Sequence, residues 1–276
     1  MMAEEVLRKA RELEEKGLHE EAEEKYLEAV KEAEKEGSAV LGEAYLEVGL
    51  FYTKHGELEK ALDFYMKSLS FYEKGGNEEG AADAAYNLCV SYLELGDYDE
   101  AEKYGLRAIE TYLRKGLREG VADAAYALGL VYVGKAEVEK GIGSLQEALK
   151  IYSEDGNDDG VSSVLLDIGE AYYRVEELDK AIEYYQKAAK ILEKTGDRLT
   201  SAYVTKRIGD AYGDKGDACR MINSYLKAAQ TYIEEGERDA AREIIEEIEE
   251  SLWDLTRSTR RTVVKKLDEL KALLEG

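Results

Sequence analysis

Tyrosine returns every forty residues along this chain: Tyr52, Tyr92, Tyr132, Tyr172 and Tyr212 form one column. Val48, Leu88, Leu128, Ile168 and Ile208 form a second column. Gly49, Cys89, Gly129, Gly169 and Gly209 form a third, and Gly76, Gly116, Gly156, Gly196 and Gly236 a fourth. A fixed period of this length is the mark of a solenoid, a stack of like units in which each buries its apolar face against the next.

The stretch from Gly80 to Gly120 holds one whole unit, and its periodicity splits it into two helices. Helix A is expected from about Glu79 to Leu95 and helix B from Tyr98 to Lys115. Ala85, Leu88, Cys89 and Tyr92 fall at i, i+3, i+4 and i+7, one face of helix A. Ala101, Ala108 and Tyr112 line the facing stripe of helix B. Gly96 ends helix A as a residue suited to a left-handed turn. Asp97 then caps helix B, with Glu100 three residues on as its capping-box partner. The same punctuation recurs at Gly56-Glu57, Gly196-Asp197 and Gly216-Asp217. Turns this short make successive helices antiparallel neighbours. The pattern is broken at Ala136 and Gly141 in the fourth unit and at Glu176 in the fifth, where small changes of helix packing are expected.

Composition supports helices and excludes several function classes. The chain has no proline, 44% hydrophobic and 36% charged residues, enough for a continuous core and a charged exterior. A net charge of −23 disfavours nucleic acid and anionic membrane surfaces, and suits a partner with a basic face. No run of eighteen apolar residues occurs, and Met1-Met2-Ala3-Glu4-Glu5 lacks the basic flank of a signal peptide. Cys89 and Cys219 lie three units apart, too far to pair, so both thiols are expected free, as suits a cytoplasmic protein.

The residues Leu88-Cys89, Tyr92, Gly96, Tyr98 and Ala101 carry a pattern repeated by Val48-Gly49, Tyr52, Gly56, Leu58 and Ala61, and by Ile208-Gly209, Tyr212 and Gly216. This pattern resembles the tetratricopeptide repeat over nearly the whole chain. It departs from that repeat in its forty-residue period and its lack of proline, and so looks like the long-repeat subclass found in adaptors that organise spindle or signalling complexes. The expected fold is an all-α, right-handed α-solenoid of antiparallel helix pairs, a superhelix of about 14 helices. Six repeats are expected over residues 1–236, the first degenerate, with a capping helix pair over 237–276.

No constellation for catalysis is present. His19 and His55 are the only histidines, each beside an inter-helix turn, and no metal-ligating, nucleophilic or phosphate-cradling motif occurs. The reading is a non-enzyme without cofactor or metal. The resemblance places the A helices on a concave surface. There Leu46 and Leu50, then Tyr86, Val90 and Leu93, then Tyr126, Leu130 and Val133 lie in lines of i, i+4, i+7 type. Asp83 and Asp123 extend two of these lines as an acidic rim, and Asn87 lies between floor and rim, where the resemblance implies an amide that holds a peptide backbone. The expected ligand is an amphipathic or extended protein segment with apolar anchors and basic residues. The competing reading is that these side chains only seal one A helix against the next. In repeats five and six the floor turns polar, through Glu170, Arg174, Lys206, Arg207 and Asp210. Leu46 and Leu50 stand where a carboxylate clamp for chaperone tails needs polar groups, so that ligand class is excluded.

The last helix carries Arg257, Arg260, Arg261, Lys265, Lys266 and Lys271 against Asp268 and Glu269, together with an apolar stripe. It reads as the terminal cap. The alternative role for the chain is a self-assembling repeat protein in which this basic helix docks into its own or a neighbouring groove.

Overall fold

Among the described residues of this all-α chain a left-handed glycine makes every inter-helix turn except those at Ala136 and Glu176 and the last, at Ser251–Asp254. The computed structural model describes residues 2–37 and 39–275. Its helices are α1 (Met2–Glu15), α2 (His19–Glu36), α3 (Leu41–Lys54), α4 (Leu58–Gly75), α5 (Glu78–Leu95), α6 (Tyr98–Lys115) and α7 (Arg118–Gly134). They continue as α8 (Val138–Asp155), α9 (Asp158–Arg174), α10 (Leu178–Thr195), α11 (Arg198–Asp214), α12 (Ala218–Glu234) and α13 (Arg238–Glu250). A short 3₁₀ turn at Ser251–Asp254 leads to α14 (Arg257–Glu275). The expected helices of the third repeat are found to within one residue.

The turn chemistry shows why the sequence breaks where it does. Gly96 sits at φ +77°, its N–H bonding Leu93 O at 3.0 Å, and Asp97 N closes on Tyr92 O at 2.9 Å. Ala136 and Glu176 adopt the same left-handed geometry, at φ 61° and 59°. Their closures are the same too: Glu137 N reaches Tyr132 O at 2.8 Å and Glu177 N reaches Tyr172 O at 3.0 Å. The breaks at these two positions therefore leave the turn unchanged and place a Cβ where glycine is favoured. The break at Gly141 is of another kind: a Cβ there would lie 2.9 Å from Gly129 O and 2.7 Å from a Val133 methyl, so only glycine permits this approach of α8 to α7. Asp97 caps α6 through Glu100 N, but the Glu100 side chain pairs with Lys103 at 2.6 Å, so the expected capping box is only half made. Asn77, Asn157, Asp197 and Asp217 cap their helices in the same way as Asp97.

By internal contacts the chain forms two compact units, residues 1–148 and 149–276. In the first, each of α1 to α7 packs on the next, and the A helices α3, α5 and α7 also touch in sequence. In the second, α9 to α13 pack successively and α12 also receives α14. The core columns obey a rule of size compensation. The Gly49 column faces the column Tyr65, Gly105, Leu145, Tyr185 and Tyr225. A Cβ on Gly49, Gly169 or Gly209 would come within about 2.5 Å of the facing tyrosine ring. In the third repeat the sizes are exchanged: Cys89 is buried, and its Sγ lies 2.9 Å from where a Gly105 Cβ would be. Both cysteines are free, Cys89 buried and Cys219 exposed. Burial pushes the Cys89 thiol up to about 12.

The end of the second unit is closed by α13 and α14. Val263, Leu267 and Leu270 of α14 are buried with Ile222, Tyr225 and Leu226 of α12 and Ile244, Ile245 and Ile248 of α13. Most of the apolar stripe of the last helix is thus covered within its own unit, while Val264, Arg257, Arg261, Lys265 and Lys266 face solvent.

Candidate functional site

The face of interest lies on α3, α5 and α7, one step round each helix from the core column Val48, Leu88 and Leu128. Those core residues are buried. The adjoining residues Leu46, Tyr86, Val90, Leu93, Tyr126, Leu130 and Val133 are half-buried, and Leu50 is 41% exposed. Each line therefore contributes both to packing and to surface. All eight belong to the first unit, on three A helices that touch in sequence.

The acidic and amide groups of this face are held from within. Asp83 is half-buried and accepts the Tyr112 hydroxyl at 2.8 Å. Burial raises its pKa above the ordinary carboxylate value, opposed by that hydrogen bond. Asn87 donates through Nδ2 to its own helix at Asp83 O, 2.8 Å away. The Tyr86 hydroxyl is pushed up to about 12, chiefly by burial and further by the Asp123 charge. Asp123 is half-buried one turn before Tyr126. The Asp83 carboxylate is therefore oriented by its bond from Tyr112.

The most open part of the face lies nearer the N-terminus than the sequence suggests. An open cleft of about 560 Å³ joins α1 to α3 and is lined by Arg11, Glu14, Glu47, Leu50, Phe51 and Lys54 among others. Arg11 reaches back to Glu47 with two bonds of 3.0 and 3.1 Å and to Glu43 at 2.8 Å. Lys54 Nζ pairs with Glu14 at 2.7 Å, and the Tyr26 hydroxyl donates to the other oxygen of that carboxylate. These bonds hold Glu14 below the ordinary carboxylate range despite its burial.

The structure also brings the two histidines together: His55 Nε2 lies 3.1 Å from His19 Nδ1, with ring centres 4.7 Å apart. His55 Nδ1 donates to Phe51 O at 2.7 Å, which leaves Nε2 to accept from His19 in the neutral pair. Sequence spacing does not show this contact, since the pair is 36 residues apart in neighbouring repeats. Among the described residues no group of three or more His, Cys, Asp or Glu side chains is placed to hold a metal ion. No described helix is long and apolar enough to cross a membrane.

In the second unit the corresponding A helices carry a closed polar network. Arg207 binds both oxygens of Glu170 at 2.6 Å and Asp210 at 2.7 Å, and its guanidinium lies 4.4 Å from the Tyr173 ring centre. The Tyr225 hydroxyl donates to Asp210 at 2.6 Å. Glu170, Lys206, Arg207 and Asp210 are thus joined in one network, while Arg174 at the end of α9 is exposed.

Models of the family described as tetratricopeptide repeat match residues 80–154 and 120–194, and again 42–74 and 222–250. Comparison with curated proteins finds no match. Among solved structures, the apo form of RapI superposes with a TM-score of 0.69 at 14% identity, covering 96% of this chain and all of that one. BtubC from P. vanneervenii gives 0.64 at 20% identity, over 83% of this chain and 88% of its own. A Rap protein complexed with competence and sporulation factor gives 0.59 at 13% identity, over 99% of both chains. Likeness at these identities concerns the fold.

Proposed function

Because this chain belongs to the tetratricopeptide repeat family, we propose that it is a non-catalytic scaffold that binds a segment of another protein. The proposed site is the A-helix face of repeats two to four. Tyr86, Val90, Leu93, Tyr126, Leu130 and Val133 form its floor, Leu46 and Leu50 extend it toward the first repeat, and Asp83, Asn87 and Asp123 provide polar groups beside it. Six repeats over residues 1–236 would make up the array that carries this face, and the helices of 237–276 would cap it. The observation that carries the reading is the partial exposure of a contiguous apolar line next to a fully buried core column. Side chains that served only to seal neighbouring helices would be covered as completely as Val48 and Leu88.

The ligand that fits is an amphipathic helix or extended segment with leucine-like anchors and basic residues. The cleft beside Leu50 has Glu14, Glu15 and Glu47 against Arg11 and Lys54, and the whole chain is strongly acidic. That a related fold occurs in a Rap protein complexed with competence and sporulation factor supports a ligand-binding role for such arrays.

Selection of peptides from a random library on the immobilised chain tests the proposal. Enriched sequences should combine apolar anchors with Lys or Arg. Leu50→Asp, and separately Tyr86→Ala with Tyr126→Ala, should weaken the selected peptide by about tenfold or more. Leu50→Asp should leave the unfolding temperature near that of the parent. Selected peptides that bind both variants as they bind the parent would refute the site. Loss of binding by the tyrosine pair only in step with lost thermal stability would show that those rings are core.

A further inference from the structure

A second ring stacks on the tyrosine column in three repeats. Tyr52 stacks on Phe64 at 5.7 Å between centres, Tyr92 on Tyr104 at 5.7 Å and Tyr172 on Tyr184 at 5.5 Å. In repeats two and five each ring also has its own cation. Lys60 and Lys180 lie 4.8 and 5.1 Å from the centres of Tyr52 and Tyr172, and Lys67 and Lys187 lie 4.6 and 4.5 Å from Phe64 and Tyr184.

Repeat six keeps three of these four parts. Tyr212 occupies the tyrosine column, Arg220 lies 4.8 Å from its ring centre, and Lys227 stands forty residues after Lys187. The second ring is missing, because that position is Ser224. In its place is an open cavity of about 390 Å³ between α10, α11 and α12. Buried Ala189, Thr205 and Ile208 and the half-buried Tyr212 line it, and exposed Lys190, Arg220 and Lys227 border it with Glu193. An apolar cavity of about 150 Å³ already admits a benzene ring, so this space takes a ring and a substituent.

We propose that this cavity binds an aromatic ring bearing an anionic group, with the ring stacked on Tyr212 where repeats two, three and five supply their own. The anion would be met by Lys190, Arg220 and Lys227, three cations against the single acid Glu193 in the lining of an otherwise acidic chain. Lys227 pairs with Glu193 at 2.9 Å and Arg220 with Asp217 at 2.7 Å. All four side chains are at least 30% exposed, and pairs of this kind are weak enough to exchange for a bound anion. The site is made by the B helices α10 and α12 with the A helix α11 between them, all in the second unit, so it does not depend on the face of α3, α5 and α7 proposed above.

Titration of the full chain with phenyl phosphate, followed by ligand-observed and protein-observed NMR, tests this. Shifts should cluster at Ile208, Tyr212 and Ser224, and cyclohexyl phosphate should bind at least about fivefold more weakly because it cannot stack. Ser224→Tyr should close the cavity with an internal ring. It should lower phenyl phosphate affinity by about tenfold or more and raise the unfolding temperature by about 2–4 °C. Arg220→Gln and Lys227→Gln, both exposed, should each weaken binding about three- to tenfold with folding intact. A short peptide containing phosphotyrosine distinguishes the source: tighter binding than phenyl phosphate assigns a modified protein segment, and weaker binding a free aromatic anion. Absence of binding, equal binding of the phenyl and cyclohexyl esters, or unchanged binding by Ser224→Tyr would each overturn the proposal. Should Ser224→Tyr fail to fold, the ester comparison and the two charge variants decide alone.

Discussion

Replacing Gly129 by alanine, with Gly143→Ala as its control, measures how far close packing holds the array together. Both glycines lie inside helices of the first unit, Gly129 in α7 and Gly143 in α8. Alanine gains about 1 kcal/mol over glycine in a helix interior at either site. At Gly143 the new methyl meets nothing within 4 Å. At Gly129 it would lie 2.6 Å from Leu145 Cγ, 2.7 Å from Cδ2 and 3.1 Å from the Leu145 backbone nitrogen. Carbon atoms pack comfortably at about 3.5–4.0 Å, so the leucine must retreat by roughly 1 Å. Leu145 is fully buried, and the nearby backbone nitrogen means that a change of rotamer alone does not clear the space. Overpacking of this kind costs about 1–3 kcal/mol. The propensity gain is common to both variants, so the difference between them isolates the steric cost. Gly143→Ala should raise the unfolding temperature, and Gly129→Ala should melt about 2–10 °C below it. Thermal unfolding followed by circular dichroism at matched concentration reads both. If Gly129→Ala melts at or above Gly143→Ala, the third column is not a packing requirement and the size-compensation rule fails.

Two further outcomes follow from local geometry. Ala136→Gly and Glu176→Gly relieve left-handed backbone at exposed turns, and each should stabilise the chain by about 0.5–1 kcal/mol in the same assay; a lower melting temperature would show that the turn is not strained. A thiol reagent at neutral pH should label the exposed Cys219 and spare Cys89, which is buried and pushed up to about 12, so one thiol per chain reacts in native conditions and two in denaturant; fast double labelling of the native chain would contradict the packing of α5 on α6.

The periodic columns made the architecture legible because each marks a contact repeated at every step. Tyr92, Leu88 and Gly96 specify a helix face and its end by chemistry that depends only on local sequence. The turns at Ala136 and Glu176 were not legible. There the flanking helices impose a left-handed residue that the side chain alone would not select. The charge pairs were hidden for another reason. Arg11 to Glu47, Lys135 to Asp99 and Lys194 to Asp158 each join residues 36 apart, so they arise only once successive helix pairs are stacked. For the proposed groove, the i, i+4, i+7 lines identified the face, while its degree of exposure depends on how closely α3, α5 and α7 approach. The internal hydrogen bonds of Asp83 and Asn87 were likewise beyond reach, since Tyr112 comes from the helix after them and the Asn87 amide turns back on its own backbone.

The repeats act as controls on one another, and this separates packing from recognition. At the third column the exchange of Gly49 and Tyr65 for Cys89 and Gly105 changes both partners at once, so the space between the helices stays filled. Leu192 and Thr200 stand in the fifth and sixth repeats where the earlier units place tyrosine against glycine, as Tyr152 does against Gly160. These are paired changes, and the sterics of the stack account for them. Ser224 is different. Tyr212, Arg220 and Lys227 retain the ring and both cations, and no enlarged neighbour occupies the space of the lost ring, which remains an open cavity. Repeat four also lacks the second ring, at Ser144, but there Glu147 replaces the second cation, so only repeat six joins the missing ring to both cations. The vacancy at Ser224 forgoes about 0.5–1.5 kcal/mol of ring stacking. Within this chain, a change that its facing column does not answer is therefore the better guide to a ligand than any aromatic residue that the stack already covers.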